Sequence, residues 1–268
     1  MASRKAEKER LRQERLARER ELAAATRRRR MLTVYGLSAA ALVIAAIVVV
    51  VVVSGGSSTS KGANSSFSQP KVSTEPIKTL ASDLHPTPTP GPLGPEGVPI
   101  PHSAPLLATN SSSSTGTAVD GIHCNAGEKL VYHVHTHLTV FVNGSPRQIP
   151  YGIGIVPPRQ VDQTAQGPFV VSGTCFYWLH THAADGIIHI ESPSVRTYTL
   201  GDFFDVWRET LSRNQVGPAK GKVTAFFNGQ VYTGDPRDIP LGSHFQIQLD
   251  VGTPLIAPEK VSFTGTGL

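Results

Sequence analysis

Between residues 130 and 142 apolar and polar positions alternate with period two. Tyr132, Val134, Leu138, Val140 and Val142 share one face, and Asn143-Gly144 follows as a type I′ turn pair. The pattern predicts a strand entering a hairpin. Val223-Thr224-Ala225-Phe226-Phe227-Asn228-Gly229 repeats the form of Leu138-Thr139-Val140-Phe141-Val142-Asn143-Gly144, and each is followed further on by Ile-Pro (Ile149-Pro150, Ile239-Pro240). This reads either as an internal duplication or as two hairpins of one type. Residues 169–182, 187–191 and 244–251 read as further strands, the last half-buried through Phe245, Ile247, Leu249 and Val251. Thr199-Leu200-Gly201-Asp202 fits a capping box opening an amphipathic helix, with Phe203, Val206, Trp207 and Leu211 apolar, that ends before Gly217-Pro218. Residues 119–268 are therefore expected to form a mainly β (α+β) domain with one helix, sandwich-like or a grasp-type roll, long enough for a single core.

Upstream the pattern changes. Residues 31–53 are 23 positions without a charge, and at roughly 1.5 Å per residue a helix of that length crosses a hydrocarbon core of about 30 Å. A transmembrane helix is expected. The competing reading, a cleaved signal peptide, normally has an apolar region of about 7–15 residues and a short basic region. Arg27 to Arg30 stand directly before the span, so the positive-inside rule keeps the N-terminus in the cytoplasm and places the C-terminal domain outside. Residues 1–30 form a basic cytoplasmic stub, a solvated helix whose Glu and Lys/Arg spacings, as in Glu9 with Lys5 or Glu14 with Arg18, allow ion pairs. Its juxtamembrane arginines also suit anionic lipid. Residues 54–118, rich in Ser, Thr, Pro and Gly, read as a disordered, extended linker on which residues 98–107 can pack against the domain.

Charge sharpens this division. The stub holds twelve Lys or Arg against five Glu, a net of +7, where the whole chain is +5, which leaves −2 for everything else. The domain has no basic excess for a phosphate backbone, and nucleic acid is set aside as a partner. Both cysteines, Cys124 and Cys175, lie in the domain. In an oxidising compartment a disulfide is the default, with a thiolate metal ligand or redox pair as the alternative.

The strongest chemical signal is histidine. Eight of ten fall in the domain, six of them in two groups: His133, His135 and His137, and His180, His182 and His189. Residues two apart on a strand point the same way about 6–7 Å apart, so a His-x-His pair can converge on one ion. Three in a row span too far, so two of His133, His135 and His137 are expected to share a site. In the second group Asp185-Gly186 marks a turn. Any even loop length places His180, His182, His189 and Glu191 on one face: a two-residue loop pairs His182 with His189 and His180 with Glu191, and a four-residue loop pairs His180 with His189. Such a set suits a copper or zinc ion, with Glu191 as a fourth ligand or an acceptor behind the ligands. The plainer reading is a set of hydrogen-bonded sheet histidines. Three histidines with an open position also match a catalytic zinc, with Glu191 or Asp185 as base, although Gly-x-Ser-x-Gly, His-Glu-x-x-His, a phosphate loop and Cys-x-x-Cys are all absent.

The strings Tyr132-His133-Val134-His135-Thr136-His137-Leu138 and Leu179-His180-Thr181-His182-Ala183-Ala184-Asp185-Gly186-Ile187-Ile188-His189-Ile190-Glu191-Ser192-Pro193, followed by Thr199-Leu200-Gly201-Asp202-Phe203-Phe204-Asp205-Val206-Trp207, resemble those of a group of uncharacterised bacterial single-pass membrane-anchored proteins. The likeness covers residues 119–268 and implies an envelope location, with no assigned activity. The sequence thus leads to a membrane-anchored, extracytoplasmic metal-binding domain for sensing, buffering or delivery. A structural or interaction module of the envelope and a zinc-dependent hydrolase stand as alternatives.

Overall fold

The computed structural model describes residues 72–101, 103–110 and 115–268. The stub of residues 1–30, the apolar run of 31–53 and the first part of the 54–118 linker lie outside the described residues. Among the described residues no helix is long and apolar enough to cross a membrane.

The domain is mainly β with one helix. Eight strands make one mixed sheet: β1 (Thr74–Glu75), β2 (Tyr132–Val142), β3 (Ser145–Arg147), β4 (Leu179–His180), β5 (Ile187–Ser192), β6 (Val223–Phe227), β7 (Gln230–Tyr232) and β8 (Phe245–Val251). Across the sheet the order is β1-β7-β6-β8-β2-β5-β4, with β3 beside the second half of β2. Every pairing is antiparallel except β8 on β2, where Ile247 faces Leu138 and Leu249 faces Val140 in parallel. One mixed sheet stands here in place of two antiparallel sheets packed face to face, so the sandwich expectation is set aside. The β2–β3 and β6–β7 hairpins close through Asn143-Gly144 and Asn228-Gly229, and all four residues have positive φ, as a type I′ turn requires.

One face of the sheet is apolar. Leu138 and Val140 of β2, Ile188 and Ile190 of β5, Ala225 and Phe227 of β6, and Ile247, Leu249 and Val251 of β8 pack with Leu200, Phe203, Phe204, Val206 and Trp207 of the helix α1 (Leu200–Trp207). Burying each large side chain contributes about 1.5–3 kcal/mol. The capping box forms as expected: the Thr199 hydroxyl accepts from the Asp202 N–H, and the Asp202 carboxylate accepts from the Thr199 N–H at 2.9 Å. The helix is shorter than its apolar pattern suggests. Arg208 adopts a left-handed conformation (φ 63°) and ends it, and Leu211 falls in a small three-stranded sheet instead.

The other face is polar and also covered. β8 was expected to be half-buried, yet Gln248 and Asp250 on its polar side are 3% and 1% exposed. The chain beyond β8 folds back over them. Gln248 Nε2 donates to the Ile256 carbonyl, the Glu259 N–H donates to Gln248 Oε1, the Val261 N–H donates to Gln246 Oε1, and the Ile256 N–H donates to Asp250. Alternating polar residues satisfied by a covering segment look, in sequence, the same as residues facing water.

The part of the linker that is described is laid on the domain as well. Thr74–Glu75 pairs with β7, Leu84–His85 pairs in parallel with Leu255–Ile256, Leu106 bridges to Gln148, and Val98 packs fully buried with Ile187 and Val261. Proline has no N–H to satisfy, which suits such an extended path. The expected strand over 169–182 is broken into three. Gly167–Ser172 forms a hairpin with Gln160–Thr164, Phe176–Tyr177 pairs with Cys124–Asn125, and only Leu179–His180 joins the main sheet. At the first break Cys124 and Cys175 form the disulfide, which anchors the chain five residues before His180.

Candidate metal centre

Three neighbouring strands place the histidines, except His182, which lies just beyond the end of β4. In the β2–β5 ladder His135 faces His189, His133 faces Glu191, and His137 faces Ile187. In the β5–β4 ladder His189 faces His180, the pairing expected of a four-residue loop. His135, His189 and His180 therefore form a row across the polar face, with His133 and Glu191 beside it. Gly186 permits the turn that sets this register. Its φ is +82°, and a Cβ there would lie 2.5 Å from the Leu138 carbonyl oxygen.

His180 and His182 are aimed by hydrogen bonds. A backbone carbonyl can only accept, so Nδ1 of His180 donates to the Tyr177 carbonyl at 2.9 Å and Nδ1 of His182 donates to the Val170 carbonyl at 2.5 Å. A neutral imidazole has one proton, so a ring that donates from Nδ1 in that form carries its lone pair on Nε2. The two Nε2 atoms face each other 3.1 Å apart, and in that form their lone pairs oppose. Bare, such a pair is repulsive. Two nitrogens bound tetrahedrally to one zinc at about 2.0–2.1 Å lie about 3.3 Å apart, so the spacing suits a shared cation. Phe169 stacks on the His182 ring at 4.9 Å, and Phe176 stands edge-on to His180. These contacts restrict both rings.

On the other side of His189, Nε2 of His133 lies 3.1 Å from Nε2 of His135 and 3.2 Å from Glu191 Oε1. Two sets of four donors thus stand ready to hold a metal ion, each with its atoms within 4.8 Å of one another: His133, His135, His189 and Glu191, and His180, His182, His189 and Glu191. His137 belongs to neither. Its Nε2 donates to the Asp185 carbonyl at 2.9 Å and its Nδ1 lies 3.3 Å from the Thr139 hydroxyl, so its ring is satisfied within the fold.

Two acids complete the surroundings, and sequence reasoning missed both. Glu96 Oε1 lies 2.6 Å from His189 Nε2, and Glu128 Oε1 lies 3.4 Å from His182 Nε2. Glu96 is the one Asp, Glu, Lys or Arg between Asp83 and Asp120, a signal that could have marked it. Asp185 sits behind Glu96, buried, and its carboxyl is held well above the usual range by burial and by the neighbouring Glu96 charge.

The electrostatics favour a positive charge at the centre. Burial works against ionising His189, but Glu96 and Glu191 hold its pKa up at about 9. Burial and its charged imidazole neighbours push His135 down to about 3 and His180 well below its ordinary value. At neutral pH those two rings are neutral and their lone pairs are available to a metal. The cluster opens into a cleft of about 490 Å³ lined by Glu96, Glu128, His133, His135, His182 and Glu191 among others. A larger cavity of about 890 Å³, lined by Arg213, Lys222, Tyr232 and Leu255, lies elsewhere and contains a single histidine, His85.

The domain is defined by a mixed sheet whose polar face carries a His/Glu cluster that can hold a metal ion. No protein-family model matches the chain, and no curated protein or solved structure is significantly similar to it.

Proposed function

We propose that the chain is a membrane-anchored protein whose extracytoplasmic domain binds copper or zinc for sensing, buffering or delivery. The observation that carries the metal reading is the pair of Nε2 atoms of His180 and His182, 3.1 Å apart, with both Nδ1 atoms on backbone carbonyls. Imidazole-rich sites suit zinc, copper, iron or nickel, and of these copper and zinc are the ones favoured here. The disulfide fits an oxidising compartment. The apolar run of 31–53 behind the tetra-Arg block supplies the anchor and its orientation.

Competition against chromophoric chelators tests the reading on the full chain. Wild type should compete for zinc or copper(II). The His180→Ala, His182→Ala double variant should lose more than the roughly 10- to 100-fold that partners behind the ligands contribute. Equal affinity in both proteins would refute it. A zinc-dependent hydrolase is the second reading, favoured by the opening of the cluster into the 490 Å³ cleft.

A further inference from the structure

The two donor sets are too far apart to serve one ion. Donors bound to a single copper or zinc at about 2.0–2.2 Å lie no more than roughly 4.4 Å from one another. The His133/His135 pair and the His180/His182 pair do not fall within 4.8 Å as a single set, and each reaches only His189 and Glu191 in common. One ion therefore takes one pair and leaves the other idle, or two ions take both.

Glu191 favours the second arrangement. It is buried between the pairs, 4% exposed, and its two oxygens are divided between them. Oε1 lies 3.2 Å from His133 Nε2, and Oε2 lies 3.9 Å from His180 Nε2. Oε2 is also buried without a hydrogen-bond partner. An ionised oxygen in that condition is costly unless a cation stands against it. We propose that the cluster is a two-ion centre in which Glu191 bridges, Oε1 serving an ion on His133 and His135 and Oε2 serving an ion on His180 and His182. His189, whose ring centroid is 4.6 Å from that of His135 and 4.7 Å from that of His182, stands between the two sets with Nε2 on Glu96 and Nδ1 3.2 Å from Glu191 Oε1, and it completes one of them when an ion displaces its Nδ1 proton. Each ion then has three or four protein donors, with a remaining position toward the cleft. The expected separation is that of two-metal sites, about 3.5–4 Å.

The proposal rests on the metal-binding reading above, and one titration separates the two. The full chain is loaded with zinc, dialysed, and its bound zinc counted; a second sample is loaded with copper(II) and examined by electron paramagnetic resonance. Two zinc per chain, falling to one in both the His133→Ala, His135→Ala variant and the His180→Ala, His182→Ala variant, is the expected result. Copper should give the half-field signal of a coupled pair, a wild-type measurement that needs no variant to fold. One zinc per chain with an isolated copper spectrum would overturn the two-ion centre and leave metal binding intact. No bound zinc or copper would overturn both.

Discussion

Glu96 Oε1 accepts from His189 Nε2 at 2.6 Å across 93 positions of sequence. A residue of the proline-rich segment thereby closes a cluster in which His133, His135, His180, His189 and Glu191 come from the sheet and His182 and Glu128 from the loops beside it. The contact gives that segment a role beyond spacing: it carries the carboxylate that holds the central imidazole.

Replacing Glu96 by Gln keeps the shape of the side chain and removes its charge. Carboxylates that orient a metal-binding histidine are worth about 10- to 100-fold in affinity. Glu96→Gln should weaken zinc binding by that order with an unchanged circular dichroism spectrum. An unaltered affinity would mean that the contact is incidental.

Gly186 should not tolerate a side chain. At φ +82°, with a Cβ 2.5 Å from the Leu138 carbonyl oxygen, Gly186→Ala must shift the turn that registers His189 against His180. A cost of about 1–3 kcal/mol in urea unfolding is expected, together with weaker metal binding. Full stability in the variant would show that the turn has room.

The disulfide closes a loop with a sequence separation of 51 between Cys124 and Cys175, for which the chain-entropy relation gives roughly 4 kcal/mol. The Cys124→Ser, Cys175→Ser variant should unfold at correspondingly lower denaturant and still bind metal while folded. Loss of metal binding from the folded variant would make the cysteines part of the site.

Asp250 supplies a pH signature away from the histidines. Burial raises its pKa from 3.8 to about 6, against the bonds it accepts from Ile256 and Gln248. The folded state thus holds a proton that the unfolded state releases. The group's stabilisation is fully present below about pH 4 and is lost as pH rises through about 6, an effect on the order of 3 kcal/mol. The stability of wild type relative to Asp250→Asn should therefore decline between pH 4 and pH 7. A constant difference would show that Asp250 stays ionised in the fold.

The anchor is testable independently of metal. A periplasmic-type phosphatase reporter fused after residue 268 should be active, and one fused after residue 30 inactive. The reverse pattern would overturn the orientation derived from Arg27 to Arg30.

Much of the site was legible because strand geometry is periodic. The His-x-His spacing and the even loop around Asp185-Gly186 were enough to place His180, His189 and Glu191 on one face, and the fold takes the four-residue register, His180 against His189, of the two that the spacing allows. The type I′ hairpins and the capping box at Thr199 were legible for the same reason, since each depends on adjacent residues. What escaped depends on distant chain. His137 has the same spacing as His135 but is satisfied by Asp185 and Thr139. Composition marked the residues around Glu96 as tether, because proline and serine bury little apolar surface; the apolar residues from Val98 to Leu107 pointed to packing on the domain, as Val98 does, but the strand pairing of Leu84–His85 and the contact of Glu96 had no such mark. The polar side of β8 read as solvated because its partners, Ile256, Glu259 and Val261, lie beyond the strand. The 169–182 strand broke where the Cys124–Cys175 bridge recruited Phe176 and Tyr177 to another partner.

Elemental analysis of the purified full chain bears most directly on the metal-binding claim. After exposure to zinc or copper and exhaustive dialysis, wild type should retain stoichiometric metal and the His180→Ala, His182→Ala variant should retain less. Metal-free wild type, or equal content in a folded double variant, would contradict the account.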